Sequence, residues 1–302
     1  MKQTFYSNGK LLITGEYVVL DGAIALALPT KFGQYLEVEK NNSNQITWKS
    51  FDADKSCWFE TSFTIEDVKN KINSEDKVKS TLIEILHEAN ILYSEIFENS
   101  NGFNIETKLT FPRNWGLGTS STLINNIAQW FEIDAFELLN KSFGGSGYDI
   151  ACAQNNTPIL YQLQNQKLIV TKINFDPKFK ESIYFVYLNQ KQNSRQAIAN
   201  YYKKRGEIQS VIESINEITK IVTNTNEVSL FEKALQKHEI ELSFVLEQMT
   251  IKELLFSDFD GTIKSLGAWG GDFVMAISEQ NPKEYFASKG FVTVLKYSEM
   301  IL

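Results

Sequence analysis

A turn rich in glycine and hydroxyl side chains opens a helical pattern near the middle of the chain. The turn is Gly116-Leu117-Gly118-Thr119-Ser120-Ser121, and apolar residues then recur three or four positions apart, at 123, 124, 127, 128 and 131. Glycines let a backbone approach a ligand closely, and the first amides of a helix have no partner inside the helix. Such an end binds anions. The pattern therefore indicates a phosphate-binding turn, with an ordinary capped helix as the alternative.

A second glycine-rich stretch carries a carboxylate. Gly144-Gly145-Ser146-Gly147-Tyr148-Asp149 precedes the small apolar residues Ile150-Ala151-Cys152-Ala153. We interpret it as a loop that offers Asp149 to a cleft. The alternative is an aspartate that only caps a helix.

Charged residues and glycines also frame two further segments. Lys10 and Glu16 lie beside glycines at opposite ends of a short apolar strand, where they are either functional or simply solvated. The loop Gly267-Ala268-Trp269-Gly270-Gly271 precedes an apolar strand, and its successive amides are suited to form an anion-binding nest.

One motif points to different chemistry. Asp258-Phe259-Asp260-Gly261-Thr262 is similar to the nucleophile motif of the haloacid-dehalogenase-like phosphatases. In that fold the motif lies on a buried strand, and most of the parallel sheet follows it. Only about 40 residues remain here, too few for such a sheet. We therefore do not favour a phosphatase.

Composition excludes several other classes. The 302 residues carry a net charge of -7, which gives no electrostatic reason to expect nucleic acid or an anionic membrane as partner. Two distant cysteines make no disulfide framework, and two histidines make a zinc site or a Ser-His-Asp triad hard to assemble. No apolar run approaches the ~20 residues of a membrane span, so the cytoplasm is the default expectation.

The elements that must position these residues follow from periodicity. Asp21-Gly22 between the apolar runs 17–20 and 23–28 predicts a β-hairpin. Further strands are expected within 34–63 and over 102–110, 157–174, 183–188 and 273–277, and helices within 65–97, over 135–141 and up to about 256. Two domains are expected, with a boundary near 175–182.

Four of these segments together resemble the galactokinase/homoserine kinase/mevalonate kinase/phosphomevalonate kinase (GHMP) superfamily. Asn8-Gly9-Lys10 through Gly22 looks like its PGKxxLxGEHxVxxG motif, and Gly116–Ser121 looks like its phosphate loop GLGSSA. Ser146-Gly147-Tyr148-Asp149 is similar to SGxD, and Lys264 through Asp272 to KxSGAGGGD. The resemblance implies an α+β, two-domain fold. An N-terminal ATP-binding domain over 1–178, like ribosomal protein S5, would precede a ferredoxin-like domain over 179–302.

The resemblance also implies phosphoryl transfer from ATP, assisted by Mg²⁺, to a small molecule. Asp149 would be the base and Lys10 would assist it. The triphosphate would be held by Asn114, Gly116, Leu117, Gly118, Thr119, Ser120 and Ser121. Mg²⁺ would be held by Ser120 and by a glutamate from the helix before Asp149. Glu137 is the nearest candidate for that glutamate. The acceptor and the transferred phosphate would be lined by Glu16, Ser146, Gly147, Ser194, Ala268, Gly270 and Gly271. A homodimer stays open.

Departures from the family motifs leave the acceptor undecided. Asn8 replaces the usual proline, Tyr17 the usual histidine, and Trp269 interrupts the last glycine run. We expect mevalonate or its 5-phosphate as the acceptor, with the cations for a phosphate drawn from Lys141, Lys191, Arg113 and Arg195. The alternatives are a kinase for another small alcohol, such as a sugar or an amino-acid alcohol, and a weakly active relative that binds nucleotide and regulates a partner.

Overall fold

The computed structural model describes residues 2–164, 167–191 and 194–302, except for the side chains of Ser194 and Arg195. The chain forms two compact units. Unit 1 consists of Met1–Gly9, Phe32–Arg113 and Leu117–Gln154, and unit 2 of Lys10–Lys31, Asn114–Gly116 and Asn155–Leu302. Each unit is therefore assembled from separated stretches of sequence.

Two strands continue from one unit into the other. They are β1 (Lys2–Leu12) and β2 (Ala25–Asn41). Unit 1 also contains β3 (Ile46–Phe51), β4 (Cys57–Phe63), α1 (Ile65–Lys69), α2 (Lys77–Leu92), α3 (Glu95–Glu98), β5 (Gly102–Leu109), α4 (Thr119–Phe131), α5 (Ala135–Ser142) and α6 (Tyr148–Gln154).

The strands of unit 1 form a mixed sheet in the order β4-β3-β5-β2. β3 runs parallel to β5, while the pairs β3–β4 and β5–β2 are antiparallel. Alternate residues of β3 are buried, so one face of the sheet carries apolar side chains. Helices α2, α4 and α5 contribute to the same core, which includes Trp48, Leu86, Phe103 and Ile127.

Buried polar side chains fix α4 in unit 1. The Asn126 amide donates to the Gln34 carbonyl oxygen at 2.9 Å and accepts from the Ser7 hydroxyl at 2.7 Å. The Asn125 amide donates to the same Ser7 oxygen at 2.8 Å. These bonds satisfy polar groups that water does not reach. They also fix the rotation of α4 about its own axis and its position relative to β1 and β2.

Unit 2 contains a second sheet, which is antiparallel in the order β11-β8-β10-β9. In addition, Ala25–Ala27 of β2 pairs with β6, and β6 pairs with β7. The elements are β6 (Ile159–Gln164), β7 (Lys167–Lys172), β8 (Ile183–Tyr187), α7 (Ser194–Lys204), α8 (Gln209–Asn224), α9 (Val228–Leu246), α10 (Ile251–Leu255), β9 (Thr262–Leu266), β10 (Phe273–Ile277), α11 (Lys283–Ser288), β11 (Val294–Lys296) and α12 (Tyr297–Met300).

The expected fold class is confirmed, because helices accompany one mixed and one antiparallel sheet. The hairpin predicted around Asp21-Gly22 is wrong. Val18–Asp21 forms a single 3-10 turn, which begins after Tyr17 at a φ of 63° and ends at Gly22 in the left-handed region. Val18 and Val19 are both buried, so this run lacks the alternation of a half-exposed strand. The domain boundary at residue 178 stays a prediction.

No helix in the described part of the chain is both long enough and apolar enough to span a membrane.

Asn126→Ala should destabilise the protein. The substitution leaves the buried Gln34 carbonyl without this donor and the Ser7 hydroxyl without this acceptor, which costs about 1–3 kcal/mol in the free energy of unfolding. Urea denaturation measures this loss. Asn140→Ala, the same substitution at an exposed position of α5, is the control, expected to cost less than about 0.5 kcal/mol. Equal losses for the two variants would contradict the assigned role of Asn126.

Candidate functional site

Helix α4 begins without a side-chain cap. Its N-cap residue is Gly118, which has a φ of 96° and no side chain to accept from the first amides. Of the hydroxyls in the first turn, that of Ser121 donates to the Gly118 carbonyl oxygen at 3.0 Å and that of Thr122 to Gln34 Oε1 at 2.7 Å. Ser120 is exposed. The turn therefore presents amides and one accessible hydroxyl, the groups that bind an anion.

Gly116 precedes this turn and belongs to unit 2. It has a φ of 69°, and a Cβ at this position would overlap the carboxylate of Asp272. Asp272 is itself buried at a φ of 52°. Only glycine satisfies both constraints. In the same stretch, the Asn114 carbonyl oxygen accepts from the Tyr187 hydroxyl at 3.1 Å.

A cavity of about 280 Å³ lies in unit 1 beside the first turn of α4. Thr119 and Ser120 form part of its wall. Most of the remaining wall is apolar and comes from β3, β4, α2, α4 and the segment after α5; it includes Trp48, Trp58, Phe59, Leu82, Ile85, Leu123 and Phe143. A flat apolar group with an attached anion matches this combination of wall and turn.

Asp149 lies in the first turn of α6, after a loop whose Gly144, Gly145 and Gly147 all have positive φ. Its side chain is partly exposed, whereas Ile150 and Cys152 are buried. The Gln154 amide at the end of α6 donates to Asn125 Oδ1 of α4 at 3.1 Å. Unit 1 therefore holds Asp149 and the glycine-rich start of α4 on two helices that are packed together.

The predicted metal carboxylate, Glu137, lies at the surface of unit 1. Glu137 lies on α5, is more than half exposed and pairs with Lys141 at 4.0 Å. Within the described ranges, no group of three or more His, Cys, Asp or Glu residues could hold a metal ion. Ser120, the other predicted ligand, remains accessible.

The predicted residues near the N-terminus differ in exposure. Lys10 is partly exposed on β1. Glu16 is only 3% exposed, and its Oε1 accepts from Lys264 Nζ at 2.6 Å. Lys264 Nζ also lies 3.2 Å from Glu239 Oε1 of α9. The Glu16 carboxylate is thus held inside unit 2.

The C-terminal glycine loop already uses several of its amides within unit 2. The Trp269 amide donates to the Tyr17 hydroxyl oxygen at 2.8 Å, the Gly271 amide to the Ala268 carbonyl at 3.2 Å, and the Asp272 amide to the Gln190 carbonyl at 2.9 Å. The buried Trp269 indole donates to the Met249 carbonyl at 3.0 Å. Trp269 is therefore a structural part of the loop.

A second cavity, of about 230 Å³, lies in unit 2 next to this loop. Aromatic and polar side chains line it, among them Tyr17, Tyr201, Trp269, Gln196, Asn200, Lys204 and Gln248. Burial raises the pKa of Tyr17 to about 12, so its hydroxyl stays protonated at neutral pH. The side chains of Ser194 and Arg195, which the sequence also assigned to an acceptor site, lie outside the described residues.

Two of the other candidate cations have partners in unit 1. Arg113 lies over the Trp58 ring at 5.0 Å and near Asp52, and Lys141 pairs with Glu137. The two aspartates of the phosphatase-like motif, Asp258 and Asp260, are exposed and precede β9; Asp258 accepts from the Tyr285 hydroxyl and pairs with Lys289. Neither aspartate lies on a buried strand, as that chemistry requires.

The structure thus distributes the predicted residues between the two units. Unit 1 holds Leu117 to Ser121, Glu137, Ser146, Gly147 and Asp149, and unit 2 holds Lys10, Glu16, Asn114, Gly116, Ala268, Gly270 and Gly271.

Comparison with known proteins gives structural matches only. No protein-family profile and no curated protein matches the sequence. Streptococcus pneumoniae phosphomevalonate kinase, solved with phosphomevalonate and AMPPNP, matches with a TM-score of 0.72 at 16% identity over 97% of this chain and 99% of that chain. Methanococcus jannaschii mevalonate kinase matches with a TM-score of 0.70 at 14% identity over 96% and 95%. Lactococcus lactis galactokinase, solved with galactose, matches with a TM-score of 0.69 at 14% identity over 95% and 88%.

All of these proteins are GHMP kinases. The fold is that of the GHMP kinases. The resemblance drawn from the four sequence motifs is thereby confirmed, and it extends over nearly the whole chain. The TM-scores of 0.69–0.72 show the shared fold, and sequence identities of only 14–16% among these three matches leave the substrate open.

Sequence reasoning missed both cavity walls and the partners of Lys264. On this GHMP-kinase fold, His238 and Glu239 lie inside unit 2. A signal was available for His238, because it follows Ala234 and Leu235 at helical spacing and precedes Leu242 by four positions, on the apolar face of α9. The aromatic residues of the unit 1 cavity had no comparable signal.

Gly116→Ala should disrupt the turn that precedes α4. Both Gly116 and Gly144 have a φ close to 70°, but a Cβ at 144 meets nothing within 4 Å. Gly144→Ala therefore isolates the backbone strain, and Gly116→Ala adds a clash with Asp272 that costs about 1–3 kcal/mol more. Unfolding in urea measures the difference. Equal destabilisation by the two variants would show that the contact with Asp272 is unimportant.

Proposed function

We propose that this protein is a kinase that transfers the terminal phosphate of ATP to a hydroxyl group of a small molecule. The observation that carries the proposal is the uncapped first turn of α4, with its exposed Ser120, beside an apolar cavity of about 280 Å³. The amides suit the triphosphate, and the cavity suits the purine ring. The GHMP-kinase fold supports the same reaction.

Mg²⁺ fits the residues at this turn. Magnesium usually keeps several waters and binds through substrate phosphates and only one or two protein groups, so it needs no cage of carboxylates. The accessible Ser120 hydroxyl would hold it, with Glu137 as the proposed carboxylate. The ion would neutralise charge on the phosphates.

Asp149 is the proposed base. Its position on α6, next to α4, together with its partial exposure, leaves the carboxylate able to accept a proton from an acceptor hydroxyl. Lys10 is proposed to assist this base, the role that the resemblance of its motif implies. Ser146 and Gly147, directly before Asp149 in sequence, are proposed to contact the acceptor.

The proposed acceptor is mevalonate or 5-phosphomevalonate. Kinases of both compounds share the fold, and the cavity bounded by Tyr17 and Trp269 offers hydroxyl, amide and ammonium groups to a small polar molecule. Galactokinase has the same fold, so a sugar or another small alcohol is the alternative acceptor.

We further propose that the enzyme is cytoplasmic and has no nucleic-acid or membrane partner. A homodimer stays a prediction.

One observation favours a second candidate function. Two amides of the loop that contains Trp269, and the Asp272 amide directly after it, donate within unit 2, which leaves fewer amides for a transferred phosphate. A nucleotide-binding regulator with little activity would need no such contacts. ATP binding without turnover of any acceptor would support this candidate.

The deciding experiment measures ATP-to-ADP turnover with Mg²⁺, comparing mevalonate, 5-phosphomevalonate and galactose in parallel. Turnover that depends on one acceptor establishes the kinase and its substrate together. ATP binding without turnover of any of the three removes the isoprenoid assignment and favours the regulator. No ATP binding at all overturns the proposal.

Asp149→Asn should lower kcat by about 10²–10⁴-fold, the usual contribution of a positioned base, while the affinity for ATP changes little. Steady-state kinetics and equilibrium ATP binding check the two parts separately. Asp258→Asn is the matched control: it alters an exposed aspartate bound only to surface partners and should leave kcat unchanged. Wild-type turnover in Asp149→Asn would remove the base from the mechanism.

Leu123→Trp should fill the cavity beside Ser120. Leu123 is half-buried on α4 and lines that cavity, so the larger ring occupies the volume proposed for the purine. A loss of about 1.4 kcal/mol in binding raises the Kd of ATP tenfold. Calorimetry on the variant measures the change, with Leu230→Trp on the exposed side of α9 as the control. Unchanged ATP affinity in Leu123→Trp would place the nucleotide elsewhere.

A further inference from the structure

Four ionisable side chains form a closed group inside unit 2, which we call the buried cluster: Glu16, His238, Glu239 and Lys264. None is more than 3% exposed. Lys264 Nζ lies 2.6 Å from Glu16 Oε1 and 3.2 Å from Glu239 Oε1, and the Ser265 hydroxyl donates to Glu239 Oε2 at 3.0 Å. Lys264 Nζ also donates to the Ser265 carbonyl.

The hydrogen bonds of His238 determine which of its nitrogens is protonated. The Gly15 amide donates to Nε2 at 2.9 Å, so Nε2 is the unprotonated acceptor and the imidazole is neutral. Glu16 Oε2 lies 3.3 Å from the same Nε2 and has no hydrogen-bond partner among the described residues. With Glu16 ionised, two acceptors face each other. A proton on Oε2 replaces the contact between two acceptors with one between a donor and an acceptor, in which Oε2 and the Gly15 amide share the Nε2 lone pair.

The net charge of the buried cluster also indicates that it binds one proton. Two ionised carboxylates and one ammonium leave a net charge of -1 with almost no access to water, because the imidazole is neutral. An unbalanced buried charge is costly, and proteins normally remove it by binding or releasing a proton. One proton on the buried cluster makes it neutral.

The directions of the pKa shifts place this proton on Glu16. Burial raises the pKa of Glu16 to about 7, in spite of the opposing Lys264 ammonium. Burial and the same ammonium hold the pKa of His238 well below its usual value. Burial alone would lower the pKa of Lys264, but Glu16 and Glu239 reverse the effect and keep the ammonium charged.

The buried cluster is connected to both segments that border the 230 Å³ cavity. Glu16 lies between Gly15, which donates to His238, and Tyr17, whose hydroxyl accepts from the Trp269 amide. Lys264 and Ser265 lie on β9, which ends at Leu266 immediately before the loop that carries Trp269. Tyr17 and Trp269 both line the cavity. The charge state of Glu16 therefore acts on the two segments at once.

We propose that Glu16 is a positioning residue whose carboxyl proton, shared with His238 Nε2, holds the Tyr17 and Trp269 segments in the conformation that forms the cavity. Loss of the proton places two facing acceptors and an uncompensated charge beneath Tyr17, and the cavity opens or deforms. The cavity's role as the acceptor site rests on the proposed function, but the proton does not.

The first test concerns the proton alone. Wild-type protein should show the carbonyl stretch of a buried carboxylic acid in its infrared spectrum at pH 6, disappearing as the pH rises through about 7. Glu16→Gln should lack this band. The side-chain amide that this variant carries at position 16 can still donate to His238, and the Glu239 carboxylate still neutralises the Lys264 ammonium. Glu16→Gln should therefore stay folded on both sides of pH 7. Absence of the band from the wild type, or its persistence in Glu16→Gln, would overturn the proposal.

The second test uses stability. The folded state of the wild type binds a proton that the unfolded chain releases near the ordinary glutamate pKa of 4.5, so this contribution to stability falls as the pH rises from there to about 7. Glu16→Gln should show a flatter profile in urea denaturation over that range. The control Glu279→Gln, at an exposed position, should keep the wild-type profile. Identical profiles for Glu16→Gln and the wild type would contradict the proposal.

The third test addresses positioning. Tryptophan fluorescence should change through the same pH range in the wild type, and the change should vanish in both Glu16→Gln and Trp269→Phe. A change that survives in Glu16→Gln would break the link to the cavity. If an acceptor is turned over, its KM should rise with pH in the wild type and not in Glu16→Gln, with the KM of ATP unaffected. A missing acceptor would defeat the proposed function and leave the spectroscopic results to decide the proton.

Discussion

The first turn of α4 has amides that nothing in its own sequence can cap, although almost all of the helix behind it is buried. Gly118 supplies no side-chain acceptor, so these donors must meet water or a ligand. The helix cannot move to relieve them, because Ile124 and Ile127 are packed in the core and Asn126 is bound to two strands. Unit 1 thus presents a fixed set of unsatisfied donors, and a preorganised site loses little entropy when it binds.

In unit 2, buried ion pairs fix the positions of the elements around Lys264. An ion pair without access to water often contributes less stability than apolar side chains of the same size. It does, however, accept very few geometries, because an ammonium between two carboxylates must satisfy specific directions and distances. Lys264 therefore links β9, α9 and the turn at Glu16 in one arrangement, where an apolar contact would tolerate sliding.

The sequence predicted the elements that depend on local pattern and missed those that depend on distant packing. The glycine turn and α4 were correct because helix periodicity and glycine conformation are local properties. The strands of unit 1 followed from alternation. The 3-10 turn at Val18–Asp21 was read as a hairpin because Asp-Gly favours both, and the burial that decides between them comes from residues far away in the chain. The pairing of Glu16 with Lys264, 248 positions later, is a consequence of topology that no local pattern encodes.

The interleaved order of the two units has a consequence for synthesis on the ribosome. Unit 1 is complete once Gln154 has been made, but Lys10–Lys31 belong to unit 2 and most of their partners come only after Asn155. Ala25–Ala27 of β2 must therefore wait for β6, and Glu16 for Lys264, although β1 and β5 are already able to pair with β2. Contacts over such long sequence separations form slowly, and unpaired apolar strands are vulnerable to aggregation in the interval. While the nascent chain is at this length, one part of β2 can have neighbours on both sides, and Ala25–Ala27 still lacks its neighbour β6.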